Sequence, residues 1–180
     1  MDINRIEIEK TDKLKIRIKA LYNKGKQFIL MLWIILWSLA GIGIVAQFFL
    51  PHEENMNTFL LVWLVFWGYF AYKVIFAYRW RMWGEELLIL DADEIVLVKK
   101  INERGIPRIF ETNLVGNLDS LKESENSFVK MMSQNYWSVG KESLVFEYKG
   151  KEIYFGVELN EQDSKDIKKV MMSYMRRFKD

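Results

Sequence analysis

Three rhythms of apolar residues follow one another along this chain. Near its start, Ile6 and Ile8, then Leu14, Ile16 and Ile18, alternate with charged residues around Thr11-Asp12-Lys13. Period two with β-branched residues predicts a hairpin with one buried face, since a helix would need apolar positions three and four apart. The alternation then gives way to two continuous runs. No Asp, Glu, Lys or Arg occurs from Gln27 to His52, nor from Asn55 to Tyr72. Both runs are apolar all round rather than along one stripe, which predicts membrane-spanning helices over 27–50 and 58–78 instead of buried core helices. Alternation then returns. Glu85–Asp91 and Glu94–Ile101 flank the short turn Ala92-Asp93, Ile106–Val115 follows a turn at 102–105, and Ser143–Tyr148 and Glu152–Val157 straddle Lys149-Gly150-Lys151. Last, Ile167, Val170, Met171, Tyr174 and Phe178 form one stripe of a helix over 160–178, with Asn160 placed to cap it. The count is seven strands and one amphipathic helix.

Flanking charge sets an expected orientation. Residues 1–26 carry Arg5, Lys10, Lys13, Lys15, Arg17, Lys19, Lys24 and Lys26, and Arg79 and Arg81 follow the second span, whereas the 51–57 loop has no Lys or Arg. Bases near a span resist translocation, so both termini are expected in the cytoplasm and the short loop outside, in a multi-pass protein of the cytoplasmic (inner) membrane. Lys73 lies near the end of the second span, where its stem can snorkel; Trp80 and Trp83 fall where an inner aromatic belt belongs. These three are the expected interface anchors. Trp33/Trp37 and Trp63/Trp67 repeat four apart, each pair on one helix face, packed between the helices, against a partner, or toward lipid. The mid-span positions hold no ionisable group, which disfavours an ion path within one chain.

Charge and composition then narrow the chemistry. With 26 Lys+Arg against 24 Asp+Glu, the net charge of +2 carries no basic excess of the kind nucleic acid attracts. The absence of Cys removes disulfides, thiolate metal sites and cysteine nucleophiles. His52, the one histidine, sits with Glu53 and Glu54 in a short loop without metal-site spacing, and Asp91, Asp93 and Glu94 lack the Gly and distal Glu of a calcium loop. Gly41-Ile42-Gly43 lies inside a span, where it allows close helix approach rather than cradling phosphate. No nucleophile–base pair can be assembled, so neither catalysis, nor a cofactor, nor a metal is expected.

Order and local residues together carry a resemblance. Arg108–Leu118, and then Tyr136–Ile167, resemble the ending of a family of small bacterial two-span membrane proteins with a pleckstrin-homology-like (PH-like) domain. In that family a strand hairpin leads into a polar-capped final helix; Phe146, Glu147, Tyr148, Lys151, Phe155 and Gly156 occupy its pattern here. The resemblance implies an α+β membrane protein: a transmembrane helical hairpin plus a PH-like antiparallel β-barrel plugged by a C-terminal helix. Residues 1–26 would join the cytoplasmic domain formed by 79–180. The stretch 122–141 departs from the pattern by being long and irregular.

What remains for function is surface. A non-enzymatic membrane-anchored adaptor is expected, binding a protein partner or membrane complex at the cytoplasmic face. Phe128, Met131, Met132, Tyr136 and Trp137 are candidate partner contacts, core filling being their alternative. Arg79, Arg81, Lys99, Lys100, Arg104 and Arg108 are candidate ligands for anionic lipid headgroups, with solvated strand edges as the plainer account. A homo-oligomer, such as a channel or stator-type subunit, is the third alternative.

Overall fold

The computed structural model describes residues 5–51, 54–121 and 139–177. His52, Glu53, Phe128, Met131, Met132, Tyr136, Trp137 and Phe178 lie outside the described residues. The chain divides into two compact units, one helical over 22–79 and one β-rich, made from the stretches on either side.

The helical unit is a hairpin of α1 (Lys24–Gln47) and α2 (Glu54–Trp83), whose last turn belongs to the β-rich unit. Both helices are long and apolar enough to cross a membrane. Their limits differ from those the charge pattern set. α1 starts three residues before Gln27 because Asn23 caps it, its side chain accepting from the Lys26 N–H at 3.0 Å. It ends at Gln47, where the Phe48 N–H turns to Val45 O, ahead of Pro51, which has no N–H to continue. α2 runs past Tyr78 to Trp83, since Arg79 and Arg81 are good helix formers and charge alone does not stop a helix. The two helices meet through tryptophan. Trp37 donates its indole N–H to Trp67 O (3.3 Å), and Trp67 donates to Trp37 O (3.0 Å), with the two rings parallel within 2°. Gly41 makes room, for a Cβ there would lie 2.2 Å from the Trp67 ring. Trp37 and Trp67 thus pack between the helices.

The β-rich unit holds eight strands among the described residues: β1 (Ile6–Lys10), β2 (Leu14–Lys19), β3 (Gly84–Leu90), β4 (Glu94–Ile101), β5 (Pro107–Glu111), β6 (Val115–Ser120), β7 (Glu142–Tyr148) and β8 (Lys151–Val157). They form an antiparallel five-stranded sheet in the order β1-β2-β3-β4-β5 and a three-stranded sheet β6-β7-β8. The expectation of one strand over 106–115 is corrected. A 3-10 turn at Thr112–Leu114 divides it, held by the Thr112 N–H on Asp93 O (2.9 Å) and its hydroxyl on Asp91 O (3.3 Å), and β6 leaves for the other sheet. The two sheets are not closed into a barrel.

One core lies between them. Leu14, Leu90, Ile95, Leu144 and Phe155 are fully buried, and each contributes about 1.5–3 kcal/mol of apolar burial. α3 (Glu161–Arg176) adds Ile167, Met171 and Tyr174 to the same core. Asn160 caps it, accepting from the Asp163 N–H at 2.6 Å, and it ends two residues short of 178. The chain leaves and re-enters this unit at adjacent points: the Ala20 N–H donates to Gly84 O at 2.9 Å.

Candidate functional site

Alternation along β3 turns Gly84, Glu86, Leu88 and Leu90 to the inner face. A glutamate therefore sits among core leucines, 1 % exposed. A buried carboxylate is costly unless its lone pairs are met and a cation is near. A cation is near and one oxygen is fully met, while the other has the ion pair but no hydrogen bond among the described residues. One Glu86 oxygen accepts from the N–H groups of Gly156 (2.7 Å) and Val157 (2.9 Å) on β8, and the other lies 3.2 Å from Lys99 Nζ. Gly156 presents both amides because it adopts φ +74°, a conformation that favours glycine. Lys99 also reaches Glu142 at 2.9 Å. Burial by itself would lower the Lys99 pKa, but Glu86 and Glu142 outweigh it and hold it above the ordinary lysine value. Burial likewise works against the Glu142 carboxylate, and the hydrogen bond from Lys99 reverses this, leaving its pKa below the usual glutamate range. Arg5 makes a second tie, its guanidinium donating to Lys19 O (2.6 Å), Val157 O (2.5 Å) and Glu158 O (2.5 Å). These links join the sheets where no backbone ladder does. Their role is structural: Glu86 and Glu142 hold Lys99, and Arg5 bonds backbone carbonyls of both sheets.

The six candidate headgroup ligands do not act alike. Lys99 is committed to Glu86 and Glu142, and Lys100, on the opposite face of β4, faces Glu85 at 3.7 Å. Arg81 is buried at 8 % exposure, whereas Arg79 is exposed on α2. Arg104 is exposed at the β4–β5 turn, and Arg108 is exposed on β5 opposite Leu97, lying 5.4 Å over the Phe110 ring. Among the anchor candidates, Lys73 lies 5.6 Å over the Tyr69 ring; Trp80 is 3 % exposed and packs on Gly84, while Trp83 is 48 % exposed.

No family model and no curated protein matches the chain. On the outer face of the five-stranded sheet, Ile89, Val96 and Ile109 form one cross-strand row, and Leu87, Val98 and Pro107 the next. Over β1 and β2 the same face turns charged, with Glu7 paired to Arg17 and Lys19. An antiparallel sheet commonly turns a polar outer face to water. The apolar half ends on β5, an edge strand whose Ile109 is 61 % exposed. Sequence reasoning did not single out this face. The signal was present in Leu87, Ile89, Val96 and Val98, whose parity is opposite to that of the core residues of β3 and β4.

Proposed function

We propose that this protein is a membrane-anchored adaptor without catalytic activity, in which a PH-like module binds a protein partner at the cytoplasmic face of the inner membrane. Two antiparallel sheets around one core, with a C-terminal helix packed into it, support the PH-like assignment and the resemblance to bacterial two-span proteins. The observation that carries the adaptor role is the apolar outer face of β3–β5, bordered by the edge of β5, which pairs with no further strand among the described residues. A partner laying a strand along β5 would gain ladder hydrogen bonds and cover Ile109 at once. The positive flanks of the two helices support a cytoplasmic location for the module.

The test uses the full chain extracted in mild detergent from native membranes. A partner should co-purify in fixed stoichiometry and be lost on Ile109→Glu, a change at an exposed position that leaves the core intact. Recovery of the bare chain alone, or a partner unaffected by Ile109→Glu, would overturn the adaptor role. A dedicated headgroup sensor is less well supported, because Lys99 and Lys100 are held by acidic neighbours and Arg81 is buried.

A further inference from the structure

We propose that the strand added to β5 is an acidic one: an extended segment of the partner that alternates apolar residues with Asp or Glu, its carboxylates meeting Arg108 and Arg104. This rests on the adaptor reading above and names the chemistry of that partner. Among the described residues the two sheets have four edges, β1, β5, β6 and β8. An open edge invites pairing with another chain, and folds blunt it with charge, irregularity or a covering contact. Three of the four are blunted. On β1, Glu7 is paired with Arg17 (3.1 Å) and Lys19 (2.5 Å) of β2, and Glu9 lies 3.9 Å from Lys15, so an incoming strand meets charges already matched. β6 carries a register shift between Val115 and Leu118, which breaks the even ladder a new strand needs. At the end of β8 the Gly156 and Val157 N–H groups are taken by Glu86, and the Val157 carbonyl by Arg5.

β5 is guarded only at its ends. Pro107 lacks a donor at the first residue, and Glu111 at the last is held by Lys149 at 3.3 Å. Between them Arg108 and Ile109 are both exposed, and they face opposite ways. Ile109 stands in the outer row beside Val96, whereas Arg108 lies opposite the buried Leu97 and over the core ring of Phe110. A strand laid along β5 would turn its own side chains to the same two faces in alternation. On the outer face its residues would cover Ile109. On the other they would meet a guanidinium that makes no ion pair among the described residues, and Arg104 at the entry to the strand makes none either. Since Lys149 already answers Glu111, the charge left unmatched on this edge is positive. Carboxylates complement it, and a guanidinium can take a carboxylate through two parallel hydrogen bonds; a basic segment would be repelled.

The probes are short dye-labelled peptides that alternate Val with Glu, Val with Lys, or Ser with Glu, each added to the full chain in mild detergent. Fluorescence anisotropy reads binding, and hydrogen exchange reads its place. The Val/Glu peptide should bind severalfold more tightly than either of the others, weaken with added salt, and slow amide exchange in β5 but not in β1. Arg108→Glu, a change at an exposed position, should reverse the preference between Val/Glu and Val/Lys. Equal binding of those two peptides, both lost on Ile109→Glu, would overturn the acidic preference and leave β5 as the partner edge. Binding of none of them, or protection of β1 or β6 instead, would overturn strand addition at β5; a partner that still co-purifies and still depends on Ile109 would keep the adaptor role. The chain has no Cys, so Ile109→Cys reports on self-pairing. A disulfide-linked homodimer of that variant, closed to the Val/Glu peptide, would put a second copy on the edge and overturn the proposal too.

Discussion

Glu86 is the position where a single substitution should be felt most widely. Changing Glu86→Ala strips two buried amide donors, Gly156 and Val157, of their acceptor and removes one of the two carboxylates around Lys99. Each orphaned donor costs about 1–3 kcal/mol, and the loss of the buried ion partner acts in the same direction, giving a total of roughly 3–5 kcal/mol. For a chain of this size that corresponds to a fall in melting temperature of roughly 6–20 °C. Glu86→Gln keeps a carbonyl oxygen for the two amides and gives up only the charge, so it should cost about 1–2 kcal/mol. The assay is unfolding of the full chain in detergent, followed by circular dichroism, with hydrogen exchange read at Gly156 and Val157. Both amides should exchange faster in Glu86→Ala and remain largely protected in Glu86→Gln. A Glu86→Ala protein that melts within about 0.5 kcal/mol of the parent, as an ordinary surface change would, refutes the idea that this carboxylate joins the sheets.

Other outcomes follow from the same geometry. The Glu142 pKa is depressed in the folded state, so its contribution is present above the unfolded value of 4.5 and fades as pH falls through the folded pKa. Lys99→Met should lower stability at neutral pH and flatten that acid limb in pH-dependent unfolding; an unchanged limb would show that Lys99 is not the cause. Gly156→Ala combines a positive φ with a Cβ 2.6 Å from Leu159 Cδ1 and should cost about 1–3 kcal/mol, measured as a shifted denaturation midpoint. Trp37→Phe and Trp67→Phe should couple by about 0.6 kcal/mol, and up to about 1.7, in a double-mutant cycle of unfolding in mixed micelles, since each indole bonds the other helix; strict additivity would count against the reciprocal pair.

Much of the fold is written in local rhythm. Leu14, Ile16 and Ile18 declare a strand by alternation, and Asn160 with Ile167 and Met171 declares a capped helix, because these patterns repeat within a few residues. Where the chain changes sheet was not legible in this way. Thr112 looks like any strand residue until the β3–β4 turn brings Asp91 and Asp93 beside it, a contact about twenty residues away in sequence. Glu85 and Glu86 pose the same difficulty for the site. Parity with Leu88 and Leu90 shows that Glu86 points inward, but only Lys99, Gly156 and Val157 explain how a charge can stay there. The basic residues dispersed for a related reason: adjacent strand positions face opposite ways, so Lys99 and Lys100 could never have shared one patch.

The bond between Ala20 and Gly84 carries a wider consequence. β2 and β3 are antiparallel neighbours in register, Lys19 opposite Glu85, so the paired helices occupy the place of an ordinary tight loop in a continuous meander. A two-residue Asn-Gly linker could stand in for the whole excursion, because that is the shortest connection such neighbours accept. The sheet register would survive the excision, and the β-rich unit becomes a candidate for preparation in plain buffer once the place of Trp80 against Gly84 is refilled.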